Sequence, residues 1–383
     1  MNPHPLFCSN IACPSRGKEN AGNIRPHDTR RERWRCTTCG KTFSGRQGTP
    51  FHRLRTDERI VTQVLTLLAC GCPLQAIVAA FGLDERTVKN WYSRAGRHCE
   101  QVHEALVASQ PMDLAQVQAD EVRVRMQRRL LAWMAMAIAV PSRLWLGGVS
   151  SDRRDKNLIQ ALAEKVKSCA CFAPLLLLTD GLKSYVTAWR KVFRSPVRTG
   201  KRGRPQMLAW PSVIIGQVVK RYCKGRVVDV DQRLVQGSIQ ELLPLLSEEK
   251  KINTAYIERL NATFRARLGC LLRRTRSLAR RQETLTAGMY LVGCLYNFCT
   301  PHRSLSIFST TFSTTKGPRD RRVERTPVTP AMAAGLTGHV WTVGEILFYR
   351  VAPPPWIVPK KRGRPPSKKR DLTIPTHQQL VTV

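Results

Sequence analysis

Acid is scarce in this chain. Its 383 residues set 27 Asp and Glu against 63 Lys and Arg, a formal net charge of +36. That imbalance favours a polyanionic partner, nucleic acid above all, over small acidic substrates. Long apolar runs are missing too. The longest, Leu130 to Val140, stops at Pro141 and is too short to span a bilayer. It reads as a buried strand, and no membrane partner is expected. The opening MNPHPLFCSN lacks the apolar segment of a secretory signal, so a reduced, cytoplasmic chain is expected. Its 13 cysteines would then serve metal or packing rather than disulfides. No clear coiled coil offers an interface for assembly.

What the chain does hold begins with cysteine pairs. Cys8 and Cys13 are followed by Cys36 and Cys39 across a short loop. Four thiolates in two pairs suit one tetrahedral Zn²⁺, with Gly40 allowing the tight turn after the second pair. Residues 1–50 are too few to bury a core, so a structural metal must organise them into a zinc ribbon. Arg30, Arg31, Arg33 and Arg35 would then face phosphates.

Residues 56–108 read as helical. Thr56 is a plausible cap for a first helix with a stripe of Ile60, Val64, Leu67 and Leu68, ended by Gly71. A short second helix runs from Leu74 to Phe81. Gly82-Leu83-Asp84 makes a turn, and a third helix spans Glu85 to Ala95 with Val88 and Trp91 inward. This is a helix-turn-helix pattern. Arg86, Lys89, Asn90 and Arg94 on its outer face have the chemistry to read base edges in a major groove.

After Met112 the period becomes two. Val122, Val124 and Met126 alternate with Arg123 and Arg125. Leu130–Val140 and Arg143–Ser150 are the next strands, then a helix over Asp155–Val166. The run Leu175–Thr179 reads as a buried parallel strand with Asp180 at its carboxyl end, where open α/β sheets hold ligands. A helix over Leu182–Phe193 follows. Three strands, a helix, a strand and a helix is the order of a ribonuclease-H-like core, with one acid on the first strand and one after the fourth. Asp120 and Asp180 occupy those places. Thr254–Leu272 is expected as a further helix, with Tyr256, Leu260, Phe264, Leu268 and Leu271 inward. Glu258, Asn261 and Arg265 share another face, a carboxylate beside groups suited to phosphate. Glu121 follows Asp120, and strand alternation lets only one of them join a site. Asp229, Asp231 and Glu283 compete for the other places.

Here a family resemblance appears. Asn253-Thr254-Ala255-Tyr256-Ile257-Glu258-Arg259-Leu260-Asn261, with Arg265 beyond it, resembles the third-acid helix of bacterial insertion-sequence DDE transposases. Leu177–Gly181 resembles their second-acid strand. Tyr296–His302 and Thr326–Leu336 resemble segments that follow their core. The likeness spans roughly residues 8–340. It implies an α/β fold: a ribonuclease-H-like catalytic core, a mixed sheet flanked by helices, after a small zinc ribbon and an all-α helix-turn-helix. The expected domains are 1–50, 56–108, 113–310 with an insertion around 195–250, and a basic tail over 311–383. The wide gap between Asp180 and Glu258 calls for that insertion.

The resemblance also implies chemistry. Asp120, Asp180 and Glu258 would hold two Mg²⁺ (or Mn²⁺) ions for strand cleavage and strand transfer at the ends of a mobile element. Asn261 and Arg265 would hold a phosphate. His302 would touch DNA, stabilise a leaving oxygen or simply end a helix. Double-stranded DNA is the partner, in a homodimer or higher synaptic assembly, in a bacterial cytoplasm at the nucleoid. A regulator without activity, or a ribonuclease-H-like nuclease of other purpose, is the competing reading. Finally, Lys201-Arg202-Gly203-Arg204-Pro205 recurs as Lys361-Arg362-Gly363-Arg364-Pro365. Arg-Gly-Arg-Pro is the core of an AT-hook, in which Arg202, Arg204, Arg362 and Arg364 would lie along an A/T minor groove.

Overall fold

The computed structural model describes residues 6–197, 204–223, 226–246, 251–272, 277–312 and 321–357. The N-terminal segment is a small antiparallel sheet of β1 (Ile24–Asp28), β2 (Arg33–Cys36) and β3 (Thr42–Ser44). Beneath it lies a core of cysteine sulfur: Cys8, Cys13 and Cys36 are buried and Cys39 packs against them.

Three helices follow: α1 (Glu58–Ala69), α2 (Leu74–Phe81) and α3 (Glu85–His103). Asp57, not Thr56, caps α1, its carboxylate accepting from the Arg59 N–H at 2.8 Å. The buried stripe is Val61, Val64, Leu65 and Ala69, one position round from the expected one, which leaves Ile60 and Leu67 36% and 37% exposed. Gly82, at φ +62°, closes α2, and Asp84 caps α3. The third helix does not stop at Ala95. It runs on because Gly96 is a packing residue: a Cβ there would stand 2.4 Å from Cα of Ala287 on the neighbouring helix. Ala95, Cys99 and Val102 carry the apolar stripe onward, and the last turn widens over Glu104–Ala108.

The main sheet holds β4 (Gln116–Arg125), β5 (Leu131–Ala139), β6 (Leu144–Ser151), β7 (Leu175–Asp180), β10 (Val213–Cys223) and β11 (Arg226–Gln236). Strands β8 (Arg194–Val197) and β9 (Gln206–Ala209) pair separately. The sheet order is β11-β10-β7-β4-β5-β6. The pairs β4–β5, β5–β6 and β10–β11 are antiparallel, whereas β7 runs parallel to both β4 and β10. Helices α4 (Lys156–Cys169) and α5 (Lys183–Val192) are the crossovers on either side of β7 in sequence. Two apolar cores show why β7 reads as unbroken leucine: Leu175 and Leu177 belong to the main core, Leu176 and Leu178 to a second one with Ile214, Val218, Leu242 and Ile252. This is a mixed sheet flanked by helices, compatible with a ribonuclease-H-like core. Part of the expected 195–250 insertion is sheet: β10 is a parallel neighbour of β7, and β11 closes that edge.

A short helix, α6 (Ile239–Leu242), precedes α7 (Ala255–Arg267). The expected helix to Leu272 ends earlier as a regular helix and finishes in a tighter turn over Gly269–Leu271. Helix α8 (Gln282–Cys294) packs along α3 and joins the helical segment to the sheet. A β-hairpin of β12 (Ile307–Phe312) and β13 (Arg321–Thr326) leads to α9 (Pro330–Ala333) and α10 (Val343–Phe348). The last helix is a clasp. The Phe348 ring stacks on Phe51 at 4.4 Å, and Nε2 of His98 lies 3.0 Å from the Ile346 carbonyl. Arg350, buried, donates to the Gln47 carbonyl at 3.1 Å and covers the Phe7 ring. Among the described residues, no helix is long and apolar enough to cross a membrane.

Candidate functional site

Asp120 lies in the middle of β4 and Asp180 ends β7, and the parallel register that pairs Ala119 with Thr179 brings the two aspartates to one face. Their carboxylates, with that of Glu121, lie within 4.8 Å of one another. Helix α7 crosses this face. Its N-cap residue Thr254 makes no capping bond, and locally only Asn253 Oδ1 accepts a helix-start N–H, that of Ala255 at 3.2 Å. Gln118, fully buried on β4, supplies a cap from across the sheet: its Oε1 accepts from the N–H groups of Tyr256 and Ile257 at 2.9 and 3.0 Å. Its amide nitrogen donates to the Asn253 carbonyl at 2.9 Å. One buried amide therefore fixes the helix that carries Glu258 against the strand that carries Asp120.

Asp120, Asp180 and Glu258 line one cavity of about 410 Å³ together with Arg154, Lys220 and Thr254. Asn261, buried, donates to Asp120 Oδ2 at 2.8 Å, so it holds the acid rather than facing outward. Arg265 is exposed on the same helix. Asp180 accepts from the Leu182 N–H at 3.0 Å. Gln217 on β10 ties down the Asp180 carbonyl at 2.8 Å. Burial raises the Asp120 carboxyl to about 6, with the charges of Glu121, Asp180 and Glu258 adding to it. Carboxylates crowded in this way favour a bound cation.

Alternation seats only one of Asp120 and Glu121 in a site, yet both carboxylates arrive near Asp180. Their commitments separate them. The Glu121 side chain is 1% exposed and its oxygens are taken by Arg154 and by the Tyr185 hydroxyl at 2.8 Å. Arg154 also lies 3.7 Å from Asp180 and rests over the Trp133 ring. Glu121 is thus the anchor of a cation at the cleft, and Asp120 faces the cavity. Glu258 stands outside the 4.8 Å grouping. It accepts from Lys220 Nζ at 2.5 Å and from the Thr254 hydroxyl at 3.0 Å. The competing acids lie elsewhere: Asp229 and Asp231 on β11 pair with Arg221 and Arg233, and Glu283 opens α8.

No family model matches the chain, and a search of curated proteins finds no match. The site must therefore be read from its own residues.

The four cysteine sulfurs of the N-terminal segment also lie within 4.8 Å of one another. Sγ of Cys8 is 3.7 Å from that of Cys39, and Cys13 is 3.9 Å from Cys36. These are far from disulfide lengths and match the edge of a tetrahedron with metal–sulfur bonds of about 2.3 Å, which is about 3.8 Å. Burial alone would push the Cys36 thiol up, but backbone N–H groups at Cys39 and Thr38 and the neighbouring thiols outweigh it and bring it down to about 7. The donor set fits one tetrahedral, thiolate-bound ion.

A second cavity, of about 700 Å³, is lined by Arg30, Arg31, Arg33, Arg46, His52 and Arg53, where the small sheet meets the loop before α1. Of the expected reading face, Arg86, Lys89 and Asn90 are exposed on α3, with Lys89 paired to Glu85. Arg94 is not free for bases: it donates to the His52 carbonyl at 2.5 Å. His302 does not line the cavity; its ring is edge-on to Tyr296 at 4.7 Å. Burial, then Arg259 and Arg267, lowers it to about 4. Arg204 is exposed, whereas Arg202, Arg362 and Arg364 lie outside the described residues.

Gln118, Arg154, Tyr185 and Lys220 were not foreseen. Two are cations in a chain full of cations, and the other two act on partners distant in sequence.

Proposed function

We propose that this protein is a metal-dependent DNA strand-cleaving and strand-transferring enzyme of the insertion-sequence transposase kind. The observation that carries the reading is the convergence of Asp120, Asp180 and Glu258, from two strands and a helix, on one cavity in a chain of net charge +36. A polyanion would avoid such a cleft unless cations stood between. Asp120, Asp180 and Glu258 would hold two Mg²⁺ or Mn²⁺ ions, whose Lewis acidity serves phosphodiester cleavage at neutral pH. Asn261 orients Asp120, Gln118 sets the helix that brings Glu258, and Arg154 keeps positive charge beside Asp180. Cys8, Cys13, Cys36 and Cys39 would hold one structural Zn²⁺ in a ribbon. Helices α2 and α3 would present Arg86, Lys89 and Asn90 to a major groove. Duplex DNA is the partner, with two copies of the chain engaging two ends.

The test is Asp180→Asn on the full chain. Duplex binding should stay within about twofold of the parent, while Mg²⁺-dependent strand cleavage should fall by at least roughly a thousandfold. Binding without cleavage in the parent protein, with Mg²⁺ and Mn²⁺ alike, would sink the enzyme reading in favour of a regulator.

A further inference from the structure

The cleft holds two cations as well as three acids, and the two are fastened differently. Arg154 is locked by an almost wholly buried carboxylate and an aromatic face. Lys220 sits on β10, two residues beyond Val218, which is opposite Asp180 in the register, so it projects from the same face of the sheet. Its ammonium reaches Glu258 at 2.5 Å, where both side chains are partly open to solvent, 34% and 49% exposed. Glu258 meanwhile remains outside the tight group formed by the other carboxylates.

We propose that Lys220 is a resident counter-ion that competes with divalent cations for Glu258. This inference rests on the metal-site reading above. In the structure Lys220 neutralises the third acid and keeps it on the β10 wall. A divalent cation seated at Asp120 and Asp180 must take Glu258 from it. An ammonium on a flexible stem, in a solvent-facing pair, gives up a carboxylate readily, whereas the forked, stacked Arg154 does not. Lys220 therefore sets the threshold of metal loading, and Arg154 keeps a constant positive charge through it.

The experiment is Mn²⁺ binding to the full chain, followed by calorimetry and by the electron paramagnetic resonance of free Mn²⁺. Lys220→Met should bind Mn²⁺ about fivefold more tightly than the parent, the scale of a solvent-exposed ion pair. Lys220→Arg, which keeps the pair and holds it with a fork, should bind no more tightly than the parent, and Asp180→Asn should lose the site. Parent binding that Asp180→Asn abolishes but Lys220→Met leaves unchanged or weakens overturns the inference and spares the metal site. A parent chain with no Mn²⁺ site sensitive to Asp180→Asn overturns both.

Discussion

Asp120 illustrates what the cleft asks of a single side chain. Its carboxyl, ordinarily near 3.8, is raised to about 6 by burial and then by its acidic neighbours. Below the ordinary value both folded and unfolded chains carry the proton, and the group contributes nothing to pH dependence. Between that value and about 6 the folded chain holds the proton more tightly, so stability falls as pH rises through this window, and above it the penalty is constant. Asp120→Asn should therefore stabilise the metal-free protein at pH 8, by on the order of 2 kcal/mol, and the gain should vanish below about pH 4. Urea midpoints measured across that range check it. A midpoint difference that grows on acidification would contradict the sign. His103 works the other way: burial lowers it to about 3, so acidification below its ordinary value of 6.5 erodes stability. At this scale the acids were legible in advance, since Asp180 follows an unbroken apolar strand and Glu258 sits on a patterned helix. The choice between Asp120 and Glu121 was not legible. It turns on Arg154 and Tyr185, which lie 33 and 64 residues away from Glu121.

At the scale of elements, α7 depends on a residue it does not contain. Gln118→Leu would strip two helix-start N–H groups and the Asn253 carbonyl of their partner inside the core. The expected loss is roughly 2–4 kcal/mol, seen as a lower urea midpoint, together with a larger loss of metal affinity than stability alone explains. A variant that keeps parental Mn²⁺ binding would show that the helix finds its place without the cap. Most elements could be anticipated, because the apolar period changes from helical to strand-like near Met112 and both patterns are regular. The misses have physical causes. Gly96 resembles a helix stop until Ala287 is seen against it. The α1 stripe is turned because α10, distant in sequence, packs on α1 together with α3 and helps select which side is covered. Strands β10 and β11 read as an insertion because their place beside β7 is a tertiary pairing with no local signature.

For the whole molecule, charge is the dominant property. With 63 basic residues against 27 acidic ones, duplex binding should weaken steeply with salt. A loss on the order of a thousandfold between about 50 and 200 mM is expected for an interface that neutralises several phosphates. A shallow salt slope in a competition or fluorescence titration would argue for a small footprint. The C-terminal clasp adds something different. Phe348, Ile346 and Arg350 bind the loop before α1, α3 and the N-terminal sheet to one another, while Gly96 against Ala287 binds α3 to the main sheet through α8. Helix α3 and the acids of the cleft are thus joined by continuous packing, and in the proposed reading the one would face a groove and the other a phosphate. An enzyme of the proposed kind built this way would be a ruler: the number of base pairs from a bound sequence to a cut bond would be written into the packing of its helices.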